Sequence, residues 1–263
     1  MKKNFKILFI SLITLSLQIS ICLTESFASD TENKIINTVI NDYKSFYSGD
    51  RLLRMGIGFG IGALPANTGI DDSIQDWFQD DIRSSTTDDM SDVFKEFGER
   101  QFLLPITAVA AALKFAAPES PIANWGAYSL RAYATGTPAL LLMQRATGGS
   151  RPGETNHRSH WRPFEDDNGV SGHGYVGAVP FLTIARMNEE NKPVKYLALL
   201  ASTFTAWSRI NDNAHYFSQA ALGWYLAYES VDAVFDADEK QKGLTVIPVI
   251  SPDTVGISAN IRW

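Results

Sequence analysis

The chain has 263 residues, enough for one large domain or two small ones. The formal net charge of -6 does not indicate the basic surface that binds nucleic acid. The single cysteine, Cys22, excludes a disulfide within the chain. The 45% apolar and 20% charged residues are typical of a globular protein.

Residues 1–28 have the layout of a bacterial secretory signal. Three lysines between positions 2 and 6 precede an apolar run over 7–23, and Ser26-Phe27-Ala28 offers small residues to a signal peptidase. We therefore predict cleavage after residue 28 and export of the mature chain to the periplasm. An uncleaved membrane anchor is the alternative.

Residues 29–240 are predicted to form one helical domain. Apolar residues in 31–47 and 71–82 recur at helical spacing, which places them on one face. Further apolar segments follow at 102–117, 125–147, 175–187, 194–209 and 215–235. None is an uninterrupted apolar run of the roughly 20 residues that a bilayer span needs. The pattern favours a soluble all-α bundle, with a polytopic membrane protein as the alternative because small residues also let helices pack in lipid.

Residues 241–263 follow a different pattern. Positions 244–250 are rich in β-branched side chains, Ser251-Pro252-Asp253 favours a turn, and apolar and polar residues alternate from 255 to 263. This pattern predicts a C-terminal β-hairpin that is appended to the helical domain and lies on it.

Three short stretches, 144–152, 170–174 and 208–219, combine arginine, histidine and small polar residues. The guanidinium groups of Arg151 and Arg209 suit a phosphate, because each offers parallel donors in one plane. Each arginine alone has an ordinary explanation as a surface or capping residue. Structural need alone does not account for all three stretches in this order and spacing.

The middle stretch, Ser171-Gly172-His173, comes just before a predicted helix. Free N–H groups at a helix start, beside a hydroxyl and a glycine, can form an anion cradle. His173 and His215 are two of four histidines, and such a pair can divide the chemistry. One ring attacks phosphorus while the other protonates the leaving oxygen. Gln219 follows His215 by four residues, shares its helical face and could orient that ring.

In this order and spacing, the stretches resemble the motifs of the type 2 phosphatidic acid phosphatase family. That family carries Lys-x6-Arg-Pro, then Pro-Ser-Gly-His, then Ser-Arg-x5-His-x3-Asp. The matching positions are Arg151-Pro152, Ser171-Gly172-His173, Ser208-Arg209 and His215. The resemblance implies a bundle of about six core helices with the site at one end, and no metal or other cofactor.

The resemblance also implies a role for each residue. His215 would be the nucleophile and His173 the general acid, while Gln219 would support the His215 ring. The phosphate-binding residues would be Arg151, Arg209, Ser171, Gly172 and Gln144.

Two of these positions depart from the family pattern. Gln144 stands where the family has Lys, so it can donate a hydrogen bond but brings no charge. Gln219 replaces the Asp that supports the nucleophile, so it can fix the tautomer but cannot stabilise an imidazolium by charge. Asp212, three residues before His215, is a candidate substitute for that carboxylate.

These residues predict a metal-independent phosphatase that hydrolyses a phosphomonoester or a pyrophosphate through a phosphohistidine on His215. Its substrate would be a phosphorylated lipid or a small phosphoester, and peripheral contact with a membrane is compatible with either. One alternative is a phosphate- or phospholipid-binding protein without turnover, which Gln144 and Gln219 would favour. Another is a vanadium haloperoxidase, because that group shares the anion cradle.

Other polar clusters are interpreted as structural. His157 and His160 lie near three acidic residues at 165–167 and could suggest a metal site, but the resemblance implies none. The five aspartates between Asp71 and Asp81 are interpreted as a solvated helix face.

Overall fold

The computed structural model describes the backbone of residues 28–241, 244–251 and 254–261 and the side chains of residues 34–240. Residues 41–241 belong to one compact unit, and all contacts given below lie within it. The helices are α1 (Ala28–Phe46), α2 (Gly49–Asn67), α3 (Ile70–Trp77), α4 (Ser85–Glu96), α5 (Arg100–Ala112), α6 (Pro121–Thr147), α7 (Gly172–Met187), α8 (Lys192–Ala201), α9 (Phe204–Asn211) and α10 (Phe217–Gln241). A π-helical turn (Phe78–Ile82) continues α3, and a 3-10 turn (Leu113–Phe115) ends α5.

The predicted helical class is confirmed for the part of the chain that the structure describes. One predicted segment, 194–209, is divided into α8 and α9. The hydroxyl groups of Ser202 and Thr203 donate to the carbonyl oxygens of Leu199 and Leu200, at 2.6 and 2.7 Å. Such local bonds compete with the helical pattern and end α8 there.

The core is organised around α10, which packs against α2, α6 and α7. Its inward residues Leu226, Val231 and Val234 are at most 1% exposed. Close approach of α2 depends on Gly58, where a Cβ atom would lie 2.3 Å from the Tyr225 ring. Glycine is therefore required at this crossing.

A buried ion network also joins α2 to α10. Arg51 is 2% exposed, and its guanidinium lies 2.6 Å from Glu229 Oε2, 2.6 Å from Asp236 Oδ2 and 3.2 Å from Asp232 Oδ2. Arg54 contacts the same Glu229 oxygen at 3.0 Å, but its side chain is 51% exposed. Arg51 is therefore the main buried partner that neutralises the charge of the Glu229 carboxylate.

After α10 the backbone forms β1 (Leu244–Ser251) and β2 (Thr254–Ile261), with Leu244 opposite Ile261 in an antiparallel register. Residues 252 and 253 between the strands and the side chains of residues 241–263 lie outside the described residues, so the turn of the hairpin and its packing on the helical domain stay a prediction. The predicted signal, residues 1–28, also lies outside them, apart from the backbone of Ala28. Among the described residues, no helix combines the length and apolar character needed to cross a bilayer.

The Arg51 network gives the first testable prediction. Arg51→Ala should lower the free energy of unfolding by about 3–5 kcal/mol, because it leaves Glu229 buried without its main partner. Arg54→Ala, which removes an exposed partner of the same oxygen, should cost less than about 1 kcal/mol. Urea denaturation of both variants measures the difference, and equal losses would contradict this reading of the network.

Candidate active site

Hydrogen bonds bring the three motif stretches together at the start of α10. The Gln219 side chain donates from Nε2 to the carbonyl oxygen of Ser150 at 2.8 Å. The Gln219 backbone oxygen accepts the N–H of Ser171 at 2.9 Å. The loop between α6 and α7, the beginning of α7 and the beginning of α10 are therefore held to one another.

His215 lies in the turn between α9 and α10, and only 4% of it is exposed. Its backbone N–H donates to the Arg209 carbonyl oxygen at 3.0 Å. The turn passes through Asn213 at a φ of 56°, a region that asparagine enters more readily than most residues. This path brings His215 Nδ1 to 2.9 Å from Gln219 Oε1.

The contacts of Gln219 assign the His215 tautomer. Since Gln219 Nε2 donates to Ser150, its Oε1 is the atom that faces His215, and Oε1 also accepts the backbone N–H of Tyr216 at 3.2 Å. A carbonyl oxygen can only accept, so His215 Nδ1 carries the proton and Nε2 keeps a lone pair.

The surroundings of His215 keep its ring neutral. Burial is the main cause that lowers its pKa to about 3, while the bond to Gln219 opposes this shift. The charges of Arg151, Arg209 and His173 lower the same pKa further. A neutral imidazole with a free Nε2 is the form that can act as a nucleophile.

The beginning of α7 is bonded to Gln219, the residue that holds this ring. Ser171 is fully buried and is the N-cap of α7, where its Oγ accepts the Gly174 N–H at 3.2 Å. Gly172 is the first helical residue, and N–H groups at this position have no acceptor within the helix. Such donors, at the positive end of a helix, suit an anion.

Gln144 also reaches the beginning of α7. Its Nε2 donates to the carbonyl oxygen of Val170 at 2.9 Å and lies 3.4 Å from the point that a Cβ on Gly172 would occupy. The amide thus borders the predicted phosphate cradle, but one of its protons is used to hold the backbone before Ser171.

The two arginines differ in their exposure. Arg209 is largely buried: burial lowers its pKa, its Nη1 lies 3.0 Å from Asp212 Oδ2, and its Nε has no hydrogen-bond partner among the described residues. Arg151 is exposed, and its Nε donates to Asn168 Oδ1 at 2.9 Å. A buried guanidinium donor without an acceptor favours an anionic ligand.

Asp212 does not substitute for the missing carboxylate beside His215. One of its oxygens contacts Arg209, and the other accepts the Ser91 hydroxyl at 2.6 Å. That part of the sequence interpretation is wrong because the turn after α9 directs Asp212 to its own helix and to α4.

His173 has a carboxylate partner that the sequence analysis missed. Its Nε2 lies 3.2 Å from Glu99 Oε1, and the two side chains are 37% and 33% exposed. No motif could have identified Glu99, since it precedes α5 and lies far from His173 in the chain.

Asp71 was also misinterpreted, because it is fully buried rather than part of a solvated face. Its Oδ1 accepts the Ser218 N–H at 3.0 Å, and its Oδ2 accepts the Ser218 hydroxyl at 2.5 Å. Burial raises the pKa of Asp71, although the bonds from Ser218 oppose the shift. Asp71, which lies in α3, thus caps the first turn of α10, and α10 begins two residues after His215.

The loop between α6 and α7 is braced by its own polar side chains. His157 Nε2 lies 2.9 Å from Ser150 Oγ, and His157 Nδ1 lies 3.0 Å from Thr155 Oγ1. The Ser150 hydroxyl also donates to Asp166. No group of three or more His, Cys, Asp or Glu side chains within residues 34–240 is arranged to hold a metal ion.

A helical domain with a neutral histidine, arginines and a helix start at one site has the features of a phosphate-handling protein. The family model described as the PAP2 superfamily matches residues 128–240, which include all three motif stretches. This match confirms the resemblance over that segment, which is less than half of the chain. No curated protein and no solved structure matches the chain. Members of the superfamily are phosphatases and hydrolases, and the match supports a phosphoric ester hydrolase.

Burial of His215 predicts a pH dependence of stability. Its pKa falls from 6.5 when unfolded to about 3 when folded, so below pH 6.5 only the unfolded ring gains a proton. The wild type should therefore lose about 2 kcal/mol between pH 7 and pH 5 that His215→Gln does not lose. Urea denaturation at both pH values measures this, and parallel losses in the two proteins would contradict a buried neutral ring.

Proposed function

We propose that this protein is a metal-independent phosphatase that hydrolyses a phosphomonoester or a pyrophosphate through a phosphohistidine on His215. The observation that carries the proposal is the neutral His215 ring, held by Gln219 at Nδ1 with Nε2 free, beside Arg209 and the beginning of α7. The match to the PAP2 superfamily supports the same class of reaction.

In the first step, the lone pair of His215 Nε2 attacks phosphorus and the bond from phosphorus to the leaving oxygen breaks. His173 gives its proton to that oxygen, while Arg151 and Arg209 stabilise charge on the phosphoryl oxygens. In the second step, water attacks phosphorus and gives a proton to His173. The nitrogen–phosphorus bond then breaks, which releases phosphate and restores the neutral His215.

The substrate would be a phosphorylated lipid or a small phosphoester, and peripheral contact with a membrane is part of the proposal for the lipid case.

We also propose export to the periplasm after cleavage of residues 1–28. N-terminal sequencing of the chain from a periplasmic extract distinguishes a start near Ser29 from an intact Met1.

A phosphate-binding protein without turnover is a second candidate. It is favoured by the bond from Gln144 to Val170, because an amide in that place adds no positive charge to the cradle. Phosphate binding without release of phosphate from any ester would establish this candidate.

His215→Ala should abolish turnover, because no other side chain is proposed to attack phosphorus. Rapid chemical quench should trap phosphate on the wild-type protein and none on the variant. Hydrolysis by His215→Ala at the wild-type rate would refute the mechanism.

Gln219→Asp is the complementary variant. It should preserve or raise turnover per folded molecule, because a carboxylate stabilises the charged ring. It should also lower the free energy of unfolding by about 1–3 kcal/mol, since the buried Ser150 carbonyl oxygen loses its donor. If neither wild type nor Gln219→Asp hydrolyses any phosphoester, the binding candidate becomes the better one.

Orthovanadate should inhibit by occupying the phosphate cradle. Arg209→Ala should weaken its inhibition by about ten- to a hundredfold, which corresponds to the loss of a charge-assisted hydrogen bond. Arg145→Ala is the matched control, because that arginine is 61% exposed and contacts Asp167 at 3.6 Å. Equal vanadate affinity in all three proteins would contradict the proposed cradle.

A further inference from the structure

Glu99 contacts the site although it lies outside the three motif stretches and precedes the segment that matches the superfamily. Its Oε1 lies 3.2 Å from His173 Nε2. Glu99 occupies the N-cap position of α5, yet its side chain makes no capping hydrogen bond there. The carboxylate therefore contacts the histidine and does not stabilise its own helix.

The backbone around Glu99 is fixed against the helices that carry the site. A Cβ atom on Gly98 would lie 2.7 Å from Thr205 and 3.0 Å from His173, so this turn packs directly on α9 and α7. The Glu99 N–H donates to the Glu96 carbonyl oxygen at 3.1 Å. The position of Glu99 relative to His173 is thus set by packing as well as by the single polar contact.

The charge of Glu99 also reaches the phosphate cradle. It opposes the lowering of the Arg209 pKa that burial causes. Arg209 is affected by the charges of Asp212, Arg151 and Glu99, and His215 by those of Arg151, Arg209 and His173, so these groups share one electrostatic environment. Glu99 is the acid of this set that contacts His173 directly.

We propose that Glu99 is a positioning residue for proton transfer by His173, an inference that rests on the function proposed above. The carboxylate accepts the Nε2 proton of His173 and leaves Nδ1 as the nitrogen that exchanges a proton with the substrate. As the bond from phosphorus to the leaving oxygen breaks, Nδ1 gives up its proton while the Nε2 proton stays on the ring. When water attacks the phosphohistidine, Nδ1 takes the proton back, and the carboxylate stabilises the recharged ring.

The Glu99–His173 pair should contribute little to the stability of the fold, which distinguishes a role in proton transfer from a structural role. Both side chains are about one-third exposed, and ion pairs of this kind contribute little to folding. Removing the charge of Glu99 should therefore leave the protein folded and change mainly the transfer of the proton.

The test uses Glu99→Gln, which keeps an acceptor oxygen but removes the charge. Turnover is measured between pH 5 and 9 with an alkyl phosphate, whose leaving oxygen needs a proton, and with 4-nitrophenyl phosphate, whose leaving oxygen does not. We expect kcat/KM for the alkyl ester to fall by about tenfold, because its leaving oxygen needs the proton of His173. The kcat/KM for 4-nitrophenyl phosphate should change little, since it reports only the steps up to phosphoryl transfer and not the hydrolysis of the phosphohistidine that both esters share.

Glu96→Gln is the matched control, because it removes an exposed charge three residues earlier and should leave both rates unchanged. In a His173→Ala background, Glu99→Gln should have no further effect on the alkyl ester. An equal effect on kcat/KM with both esters, including no effect, would overturn the role of Glu99 while leaving the phosphatase intact. Absence of wild-type turnover with both esters would overturn the proposed function as well.

Discussion

The site depends on one buried residue, Gln219, which is 1% exposed and whose side chain and backbone together contact each of the three motif stretches. Its amide donates to Ser150 in the loop before α7, its side-chain oxygen accepts from His215, and its backbone oxygen accepts from Ser171. An amide can donate and accept at the same time, whereas an ionised carboxylate can only accept. The bond to Ser150 is therefore one that the Asp of the family pattern could not make in its ionised form.

Burial explains why the proposed nucleophile, His215, is neutral in a site with so much positive charge. Arg151 and Arg209 would repel an imidazolium, and the loss of water around His215 disfavours the charged ring further. The same arrangement leaves Arg209 Nε without an acceptor among the described residues. A bound phosphate would satisfy that donor and would balance the positive charge that His215 gains as the nitrogen–phosphorus bond forms.

Sequence patterns predicted the helices and the motif residues, because periodicity and short spacings depend on neighbours along the chain. They failed where a tertiary partner decides the role of a side chain. Asp71 has the same local context as the exposed Asp76 and Asp80, and only its contact with Ser218 marks it as a buried cap. Glu99 has no sequence signal at all, since its partner His173 lies 74 positions later. The break between α8 and α9 likewise depends on hydroxyl bonds that helical periodicity does not register.

The two departures from the family pattern have a common physical effect. Replacing Lys by Gln144 removes one positive charge, and replacing Asp by Gln219 removes one negative charge, so the net charge of the site is unchanged. Both amides donate to backbone carbonyl oxygens, Gln144 to Val170 and Gln219 to Ser150, which lie near the two ends of the loop between α6 and α7. The site thus has two neutral hydrogen bonds that fix the ends of this loop where the family pattern has two charges. Because the loop carries Arg151, fixing its ends orders the more exposed arginine of the proposed cradle.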